Sequence, residues 1–344
     1  MGKEKITIQD IADSLGISRN TASKALNGND SIPAETRNKV IKRAIELKYK
    51  QFAYVETESI LPKNSGNIAL LTCNLPVNSH FGSFLISGLE KRISAEGYNL
   101  SIHIVREAEI NTLTLPNNFE TSKVDGIICI EMFNSKYSEL ISSLGLPTIF
   151  IDCAADIFYP DLKADLLLME NEHSTYFMTR KLIENSSQTI GFVGDYNHCK
   201  SFNERWVGYN RALVEAQRQL DLSYCIIDQD RFFNDSWMSE QLEGMKELPS
   251  AFICANDFLA VSLMKALKNR GVQIPDEVKV CGFDDVPESR IVEPHLTTVH
   301  VFNNEMGITA AEMLLSRVKD PSHPYQITHV RTEPVFRDST GILE

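Results

Sequence analysis

From Asn67 onward, short runs of β-branched and other apolar residues alternate with stretches of helical periodicity. Eight runs of this kind occur, namely NIALLTC, YNLSIHIV, VDGIICI, PTIFID, TIGFVGD, SYCIIDQ, SAFICAN and VKVCGFDD. Strands that alternate with helices form parallel sheets with helices packed on their faces. Eight strands are enough for two such sheets, so the pattern predicts a body made of two doubly wound α/β lobes.

Polar residues follow several of these runs at the point where the strand should end. They are Asp152, Asp195, Asn256, Asp257, Asp284 and Asp285. In open α/β sheets, ligands bind just beyond the carboxyl ends of the strands. The cleft between the two lobes is therefore the predicted ligand site.

Residues 1–50 follow a different pattern, which is helical throughout. Apolar residues recur at helical spacing after Thr7, a favourable N-cap, and the helix should end at Gly16. A second start signal at Ser18 opens a helix with a narrow stripe of small apolar residues, and a third helix should begin near Pro33. Two short helices joined by a tight glycine turn form a helix-turn-helix.

Charge is distributed unevenly along the chain, whose formal net charge is −12. Residues 1–50 contain ten Lys or Arg and six Asp or Glu, so this segment carries +4 and the remainder carries −16. A basic head on an acidic body indicates that the head alone meets a polyanion.

The second predicted helix would bury Ala22, Ala25 and Leu26. Its other face then carries donors and acceptors near the helix start, namely Arg19, Asn20, Thr21, Ser23 and Lys24. Such a face can be an ordinary solvated surface, but its start is also the end that a recognition helix inserts into the major groove. The glycine turn, the third helix and the local positive charge favour DNA.

Several classes of protein are not expected. No apolar stretch reaches the roughly 18 residues that a membrane span needs, and no secretion signal is recognisable, so we expect a cytoplasmic protein. The seven cysteines are an odd number without a CxxC pair, which predicts buried free thiols. The histidines lack zinc-site spacing, and no nucleophile or phosphate-loop motif occurs, so we expect no metal, no cofactor and no enzymatic activity.

The segments TIQDIADSLGISRNTASKALNG and ETRNKVIKRAIELKY resemble the N-terminal domain of LacI/GalR-family transcriptional regulators. The resemblance implies that Arg19, Asn20 and Lys24 read DNA bases. The residues that it places on the DNA backbone are Thr7, Ser18, Thr21, Ser23, Asn27, Thr36 and Tyr49.

The remaining chain resembles the effector domain of the same family, which is similar to type I periplasmic binding proteins. The resemblance lies in RWVGYNRAL, AFICANDFLAVSLMKAL, VCGFDDVPESRIVEPHLTTV and RTEPVFRDSTG. It implies a sugar-like effector held by hydrogen bonds, since a guanidinium, an amide and carboxylates can grip adjacent hydroxyls. The implied effector residues are Asp152, Arg205, Asn256 and Asp284, with His80 and Phe81 after the first strand and Phe232 from the other lobe.

The predicted organisation is an all-α helix-turn-helix head at 1–50, an atypical linker at 51–66 and a two-lobe α/β domain for effector binding and dimerisation at 67–344. The first lobe should comprise about 67–162 and 295–320, and the second about 163–292 and 325–344. In the family, the linker usually places a leucine wedge in the minor groove. Here Glu58 occupies that position, so either the register shifts to Ile60 or Leu61, or the linker stays outside the groove.

Some of these residues have structural alternatives. Asp257 and Asp285 could cap the helices that follow them. Arg205 could be a buried ion-pair residue, and His80, where the family more often has proline, could be a surface residue.

The sequence thus predicts a homodimeric transcriptional regulator, a repressor like most of the family, that binds double-stranded operator DNA and responds to a sugar or phosphosugar, without membrane association. The altered linker leaves activation or corepression open. A sugar-binding receptor without a role on DNA is the alternative, because the body alone would permit it. The helix-turn-helix head favours the regulator.

Overall fold

The computed structural model describes residues 6–27, 32–49, 66–73, 80–228 and 236–342. The chain divides into two compact units, one formed by residues 1–65 with 95–98 and the other by the rest of the chain.

Three helices make up the described part of the head. They are α1 (Ile8–Leu15), α2 (Arg19–Leu26) and α3 (Ala34–Glu46). Thr7 and Asp10 form a capping box that begins α1, and Gly16 ends it in the left-handed conformation with φ 62°. These bounds match the predicted helices, and side-chain caps at Thr7 and Ser18 begin the first two.

Small residues allow the three helices to pack closely. The core cluster of the head consists of Ile11, Ala12, Ala22, Ala25, Val40, Ala44 and Tyr49. Nε of Arg43 on α3 also donates a hydrogen bond of 3.0 Å to the hydroxyl of Ser14 on α1. The alanine stripe of α2 is therefore the surface that fixes this helix on its neighbours.

The first sheet of the body has six strands. In spatial order these are β10 (Ile327–Val330), β5 (Asp165–Met169), β4 (Thr148–Ile151), β3 (Gly126–Ile130), β1 (Gly66–Thr72) and β2 (Tyr98–Ile104). The pairs from β10 to β1 are parallel. Four helices accompany this sheet: α4 (His80–Ala95), α5 (Glu107–Thr112), α6 (Ser135–Ser142) and α11 (Asn303–Lys319).

The second sheet has three parallel strands, β6 (Ile190–Val193), β7 (Ala251–Cys254) and β8 (Lys279–Cys281). Its helices are α7 (Glu172–Glu184), α8 (Lys200–Glu215), α9 (Trp237–Gly244) and α10 (Asp257–Asn269). An antiparallel pair, β9 (Thr298–His300) and β11 (Glu333–Val335), completes the described strands. Two lobes, each built on a parallel sheet, confirm the predicted fold class.

Three details of the prediction are wrong. The run SYCIIDQ overlaps a short 3₁₀ helix at Leu222–Tyr224, and its described part has only a single bridge, from Ile226 to Val193. The pattern missed β5, although its five residues are all buried like those of the predicted strands β3 and β4. The predicted second lobe included β5 and β10, yet both strands belong to the first sheet. The chain thus enters the second lobe after Met169, later than predicted.

The interface between α7 and α8 depends on one glycine. A Cβ atom added at Gly208 of α8 would lie 2.1 Å from the carbonyl oxygen of Glu172, at the start of α7. Only a residue without a side chain permits this approach of the two helices.

All seven cysteines are free, as predicted. Five are buried, whereas Cys73 and Cys225 are half-buried. Burial raises the pKa of the Cys73 thiol to about 11. Within the ranges that the structure describes, no helix is both long and apolar enough to cross a membrane.

Candidate DNA-binding surface and effector site

The N-terminal end of α2 exposes the side chains predicted to read bases. Ser18 caps the helix by accepting a hydrogen bond of 3.0 Å from the backbone N–H of Thr21. The hydroxyls of these two residues lie 2.8 Å apart. Arg19, Asn20 and Lys24 are all exposed. The cap therefore fixes the first turn of a helix whose free face is cationic and amide-bearing.

The residues predicted to hold the DNA backbone differ in how far their side chains are exposed to solvent. Asn27 is exposed at the end of α2, whereas Ser23 and Thr36 are half-buried. Thr7 is exposed and caps α1. Tyr49 differs from the rest, because its ring belongs to the core cluster of the head and only 5% of the residue is exposed. Little of the Tyr49 side chain is thus available to a phosphate.

Asp152 follows β4 and adopts a left-handed backbone conformation with φ 61°. Its Oδ1 accepts hydrogen bonds from the backbone N–H of Cys153 at 2.8 Å and from that of Ser201 at 3.2 Å. Ser201 lies in the first turn of α8, so this carboxylate joins the first lobe to the second. Burial raises the pKa of Asp152, and the hydrogen bonds oppose that rise.

Arg205 of α8 lies at the centre of a buried network, with 3% of the residue exposed. Its Nε donates to Oδ1 of Asn171 at 2.9 Å, and its Nη1 donates to the carbonyl oxygen of Ala255. The guanidinium carbon stacks 3.6 Å from the centroid of the Phe283 ring. Nη2 reaches Oδ1 of Asp284 at 3.5 Å. The buried ion pair considered for Arg205 is therefore present in the structure.

Asp284 follows β8, where its backbone has φ 114°. Burial raises the pKa of its carboxyl to about 6; the Arg205 guanidinium opposes the rise, and the negative charge of Asp152 adds to it. About 17% of the Asp284 side chain remains exposed. The structure thus brings Asp152, Arg205 and Asp284 into one electrostatic cluster at the carboxyl ends of strands from both lobes.

Asn256 caps α10, since its side-chain oxygen accepts a hydrogen bond of 2.9 Å from the N–H of Leu259. This geometry overturns the helix-cap alternative for Asp257, which is fully buried and binds elsewhere. Its carboxylate accepts from the hydroxyl of Thr298 at 2.5 Å and from the N–H of Val286 at 3.0 Å. Asp257 therefore ties α10 to the segment around β9.

Asp285 also forms no cap. Its side chain is 2% exposed and makes ion pairs with Arg290 at 2.6 Å and Arg337 at 2.5 Å. The carboxylate also lies 2.9 Å from Nδ1 of His300. These partners keep the pKa of Asp285 below its usual value although burial acts in the opposite direction. Asp285 therefore has a structural role, since it holds Arg290 and Arg337.

The structure does not describe the remaining predicted positions fully. His80 and Phe81 begin α4, but their side chains fall outside the described part of the chain. Phe232 and the linker residue Glu58 lie outside the described residues altogether.

Sequence reasoning missed Asn171, which connects the cluster to its surroundings. The amide of Asn171 accepts from Arg205 and donates to Glu204 Oε2 at 3.0 Å. The position of Asn171 two residues after β5 would have identified it, had that strand been recognised. Among the described residues, no group of three or more His, Cys, Asp or Glu is arranged to hold a metal ion.

Comparison with known protein families agrees with both units. A family model described as "Bacterial regulatory proteins, lacI family" matches residues 7–51. A second model, described as "Periplasmic binding protein-like domain", matches residues 179–340. Together the two models cover more than half of the chain.

Similar proteins share this organisation over nearly their full length. The chain is 26% identical to the HTH-type transcriptional repressor PurR of Vibrio parahaemolyticus, with 98% of this chain and 99% of the relative covered. Its identity to the ribose operon repressor of Haemophilus influenzae is also 26%, with 98% and 99% covered. The crystal structure of the lac repressor dimer bound to operator and the anti-inducer ONPF has the same fold, with a TM-score of 0.68, 21% identity and coverage of 98% and 99%.

These matches agree with the structure, in which a helix-turn-helix head precedes a body with two parallel sheets. The relatives are named as transcriptional repressors and not as enzymes. The chain thus combines a helix-turn-helix domain of the lacI family at 7–51 with a periplasmic binding protein-like domain at 179–340, and over nearly its full length it is similar to proteins named as transcriptional repressors.

Proposed function

We propose that this protein is a repressor that binds operator DNA through its head and changes its operator affinity when a sugar or sugar derivative binds its body. One observation carries the proposal: α2 is capped at Ser18, is held by small buried residues and presents Arg19, Asn20 and Lys24 to solvent. The relatives named as repressors support the direction of the regulation.

The chemistry of the exposed α2 side chains suits major-groove recognition. A guanidinium pairs with the O6 and N7 acceptors of guanine, and an amide pairs with N6 and N7 of adenine. The Lys24 ammonium adds electrostatic attraction to the DNA. The head thus carries both base-reading and charge-neutralising groups, on a helix whose packing leaves them free.

The body offers hydrogen-bonding groups that suit a polyol. We assign Asp284 and Asn256 to direct contacts with effector hydroxyls, with Asp152 as a further acceptor. Since Arg205 is almost fully buried, we assign it the role of holding Asp284. Effector binding would then act where Asp152 and Ser201 join the lobes, and a change in lobe closure would alter DNA affinity.

We further propose a cytoplasmic homodimer, because two copies of the head can then contact two operator half-sites. The dimer named in the lac repressor structure supports this assembly. Light scattering of the purified chain should give about twice the mass of one chain. A monomeric mass that persists on operator DNA would overturn the dimer.

The DNA-binding part is tested by fluorescence anisotropy with promoter fragments at several salt concentrations. We expect a salt-sensitive preference for particular fragments, since phosphate contacts release counterions. Arg106→Ala removes an exposed positive charge from the body and should leave the preference unchanged. It is the control for Arg19→Ala, which removes a positive charge from the head. No preference for any fragment, with or without metabolites, would refute the proposal and revive the sugar receptor without a DNA role.

The effector part is tested by thermal-shift screening against sugars and sugar phosphates. A ligand at 100 times its Kd should stabilise the folded chain by about 2.7 kcal/mol. Asp284→Asn should abolish this gain, whereas Asp276→Asn, which changes an exposed carboxylate of the second lobe, should preserve it. A panel of nucleobases, which lack the adjacent hydroxyls of a sugar, tests whether the effector belongs to another chemical class. Stabilisation by nucleobases alone would exclude a sugar effector.

The atypical linker allows one more proposal. If Glu58 keeps the linker outside the minor groove, Glu58→Leu should increase the bend of bound DNA. An unchanged bend angle, measured by circular-permutation gel shift, would remove Glu58 as the cause.

A further inference from the structure

An ion pair joins the two lobes close to the segments that connect them. Nε2 of His329, on β10 of the first sheet, lies 3.4 Å from Oε1 of Glu204, on α8 of the second lobe. Just beyond β10, where the chain crosses between the lobes, the backbone N–H of Glu170 donates to the carbonyl oxygen of Val330 at 2.7 Å. Because His329 and Glu204 belong to different lobes, a change in the angle between the lobes alters their separation.

The carboxylate of Glu204 is held in place by a buried amide. Its Oε2 accepts a hydrogen bond of 3.0 Å from Nδ2 of Asn171, which is 1% exposed, so Oε1 is left to face His329. The Glu204 side chain is 16% exposed, whereas that of His329 is 41% exposed. A fixed carboxylate thus faces a histidine that water can reach and protonate.

Asn171 also connects this pair to the proposed effector residues. A guanidinium only donates hydrogen bonds and a carboxylate only accepts them, so the amide must turn its oxygen to Arg205 and its nitrogen to Glu204. Nε of Arg205 donates to that oxygen at 2.9 Å, and Nη2 of the same side chain reaches Asp284 at 3.5 Å. One buried amide therefore lies between the arginine that holds Asp284 and the ion pair that joins the lobes.

Protonation of His329 would strengthen the contact. Histidine side chains change charge between about pH 5 and 8, where carboxylates ordinarily stay ionised. Charge-assisted hydrogen bonds are about 2.7–2.9 Å long and roughly twice as strong as neutral ones, so the contact of 3.4 Å can shorten. The pair should therefore favour the observed arrangement of the lobes more strongly as the pH falls from 8 to 6.

Other charged or titratable groups lie on the elements around the pair. They are Lys200 and Arg205 of α8, Asp152, Asp156 and Tyr159 after β4, and Glu170 and Arg331 where the chain crosses between the lobes. Burial raises the pKa of Asp152 and raises that of Asp284, behind Arg205, to about 6. A test of the ion pair therefore has to separate these two carboxyls from His329.

We propose that Glu204 and His329 form a pH-sensitive latch between the lobes, which holds the lobe arrangement of this structure more firmly when His329 is protonated. Asn171 links the latch to the effector residues, so mild acidification and effector binding act on the same equilibrium between lobe arrangements. The latch depends only on contacts within the body, whereas its consequence for operator affinity rests on the function proposed above.

The test measures the separation of the lobes in the full-length chain by single-molecule FRET, without DNA or effector. The dyes are attached through p-acetylphenylalanine at two exposed positions in different lobes, Asn111 of α5 and Lys268 of α10. An excess of unlabelled chain leaves at most one labelled copy in each assembly. From pH 8 to pH 6 we expect the ratio of compact to extended molecules to rise about two- to fivefold, the range that partly exposed ion pairs provide.

His329→Gln should make this ratio independent of pH, because glutamine gains no charge, and Glu204→Gln should have the same effect. A response caused by Asp152 or Asp284 would instead persist in His329→Gln. His323→Gln is the matched control, since His323 pairs with Asp320 at 3.0 Å within one lobe, between α11 and β10. This variant should keep the full pH response.

Three results would overturn the proposal. The first is a ratio that stays constant between pH 8 and pH 6 in the unmodified chain, the second is a pH response that persists in His329→Gln, and the third is its loss in His323→Gln. Because the first measurement uses the unmodified chain, it decides the matter even if a variant does not fold. Promoter preference and stabilisation by sugars are measured separately, so a failed latch leaves the proposed function standing.

Discussion

Asp284→Asn should make the body more stable while it removes the response to the effector. The carboxylate of Asp284 is largely buried beside Arg205, and its pKa is raised from 3.8 to about 6 because burial disfavours the charged form. An amide has nearly the same shape, and its oxygen can still accept from Arg205. The substitution thus removes a buried negative charge without opening a cavity.

The expected gain follows from the two pKa values. Each pKa unit of difference between folded and unfolded chains is worth about 1.4 kcal/mol. Well below pH 3.8 the carboxyl is protonated in both states, so it imposes no penalty. Between about pH 4 and 6 the unfolded chain ionises this group while the folded chain keeps it protonated, so the penalty grows with pH and levels off at about 3 kcal/mol above pH 6. Because 17% of the side chain is exposed to water, we take this value as the upper bound.

Urea denaturation monitored by tryptophan fluorescence can measure the effect. Both tryptophans, Trp206 and Trp237, lie in helices of the second lobe, so the signal reports on the lobe that contains Asp284. At pH 7.5 the free energy of unfolding of Asp284→Asn should exceed that of the unmodified chain by up to about 3 kcal/mol. At pH 4.5 the difference should be only about 1 kcal/mol. Asp276→Asn is the matched control and should change neither value appreciably.

Two results would refute this reasoning. If the stability difference were the same at both pH values, the Asp284 carboxylate would not be penalised in the folded chain. If the variant were less stable at pH 7.5, the ion pair with Arg205 would outweigh the cost of burial. A stabilised variant that still responds to the effector would agree with the cost of burying the carboxylate, but it would show that Asp284 does not contact the effector.

Three further predictions concern the head and the packing of the body. Arg19→Ala should weaken binding to the preferred operator by about 1–3 kcal/mol and to random DNA by less, as measured by anisotropy; equal losses would exclude a base contact. Arg317→Leu should lower the free energy of unfolding by about 3–5 kcal/mol, since it leaves Asp165 buried without the partner that now donates at 2.6 and 2.8 Å; a loss below 1 kcal/mol in urea would contradict this. Gly208→Ala should cost about 1–3 kcal/mol, because a methyl group would clash with the Glu172 carbonyl, and unchanged stability would show that the helices can separate freely.

The sequence determined the architecture of the head, because its signals are local. A Thr or Ser cap begins each of the first two helices, Gly16 ends the first, and the alanine stripe of α2 identifies the buried face. Such caps act within one turn of a helix, so they can be recognised without knowledge of the fold. The exception is Tyr49, since packing of its ring against the three helices depends on their tertiary arrangement.

In the body, the sequence identified most strands but not the sheet to which each belongs. The alternation of strands and helices is local, whereas the membership of β5 and β10 depends on pairing between residues 161 positions apart, such as Leu166 and Ile327. For this reason the predicted lobe boundaries were wrong although the fold class was confirmed.

The roles of the polar residues were decided by tertiary structure. The sequence placed acidic and amide side chains at strand ends. Asp257, Asp284 and Asp285 are the same residue type and all follow strands, yet each has different surroundings in the structure. Asp257 ties a helix to a strand, Asp284 faces Arg205 and has a raised pKa, and Asp285 forms ion pairs with two arginines. Burial and charge at a carboxylate depend on partners that are distant in the chain, so the fold alone decided which of them can serve a ligand.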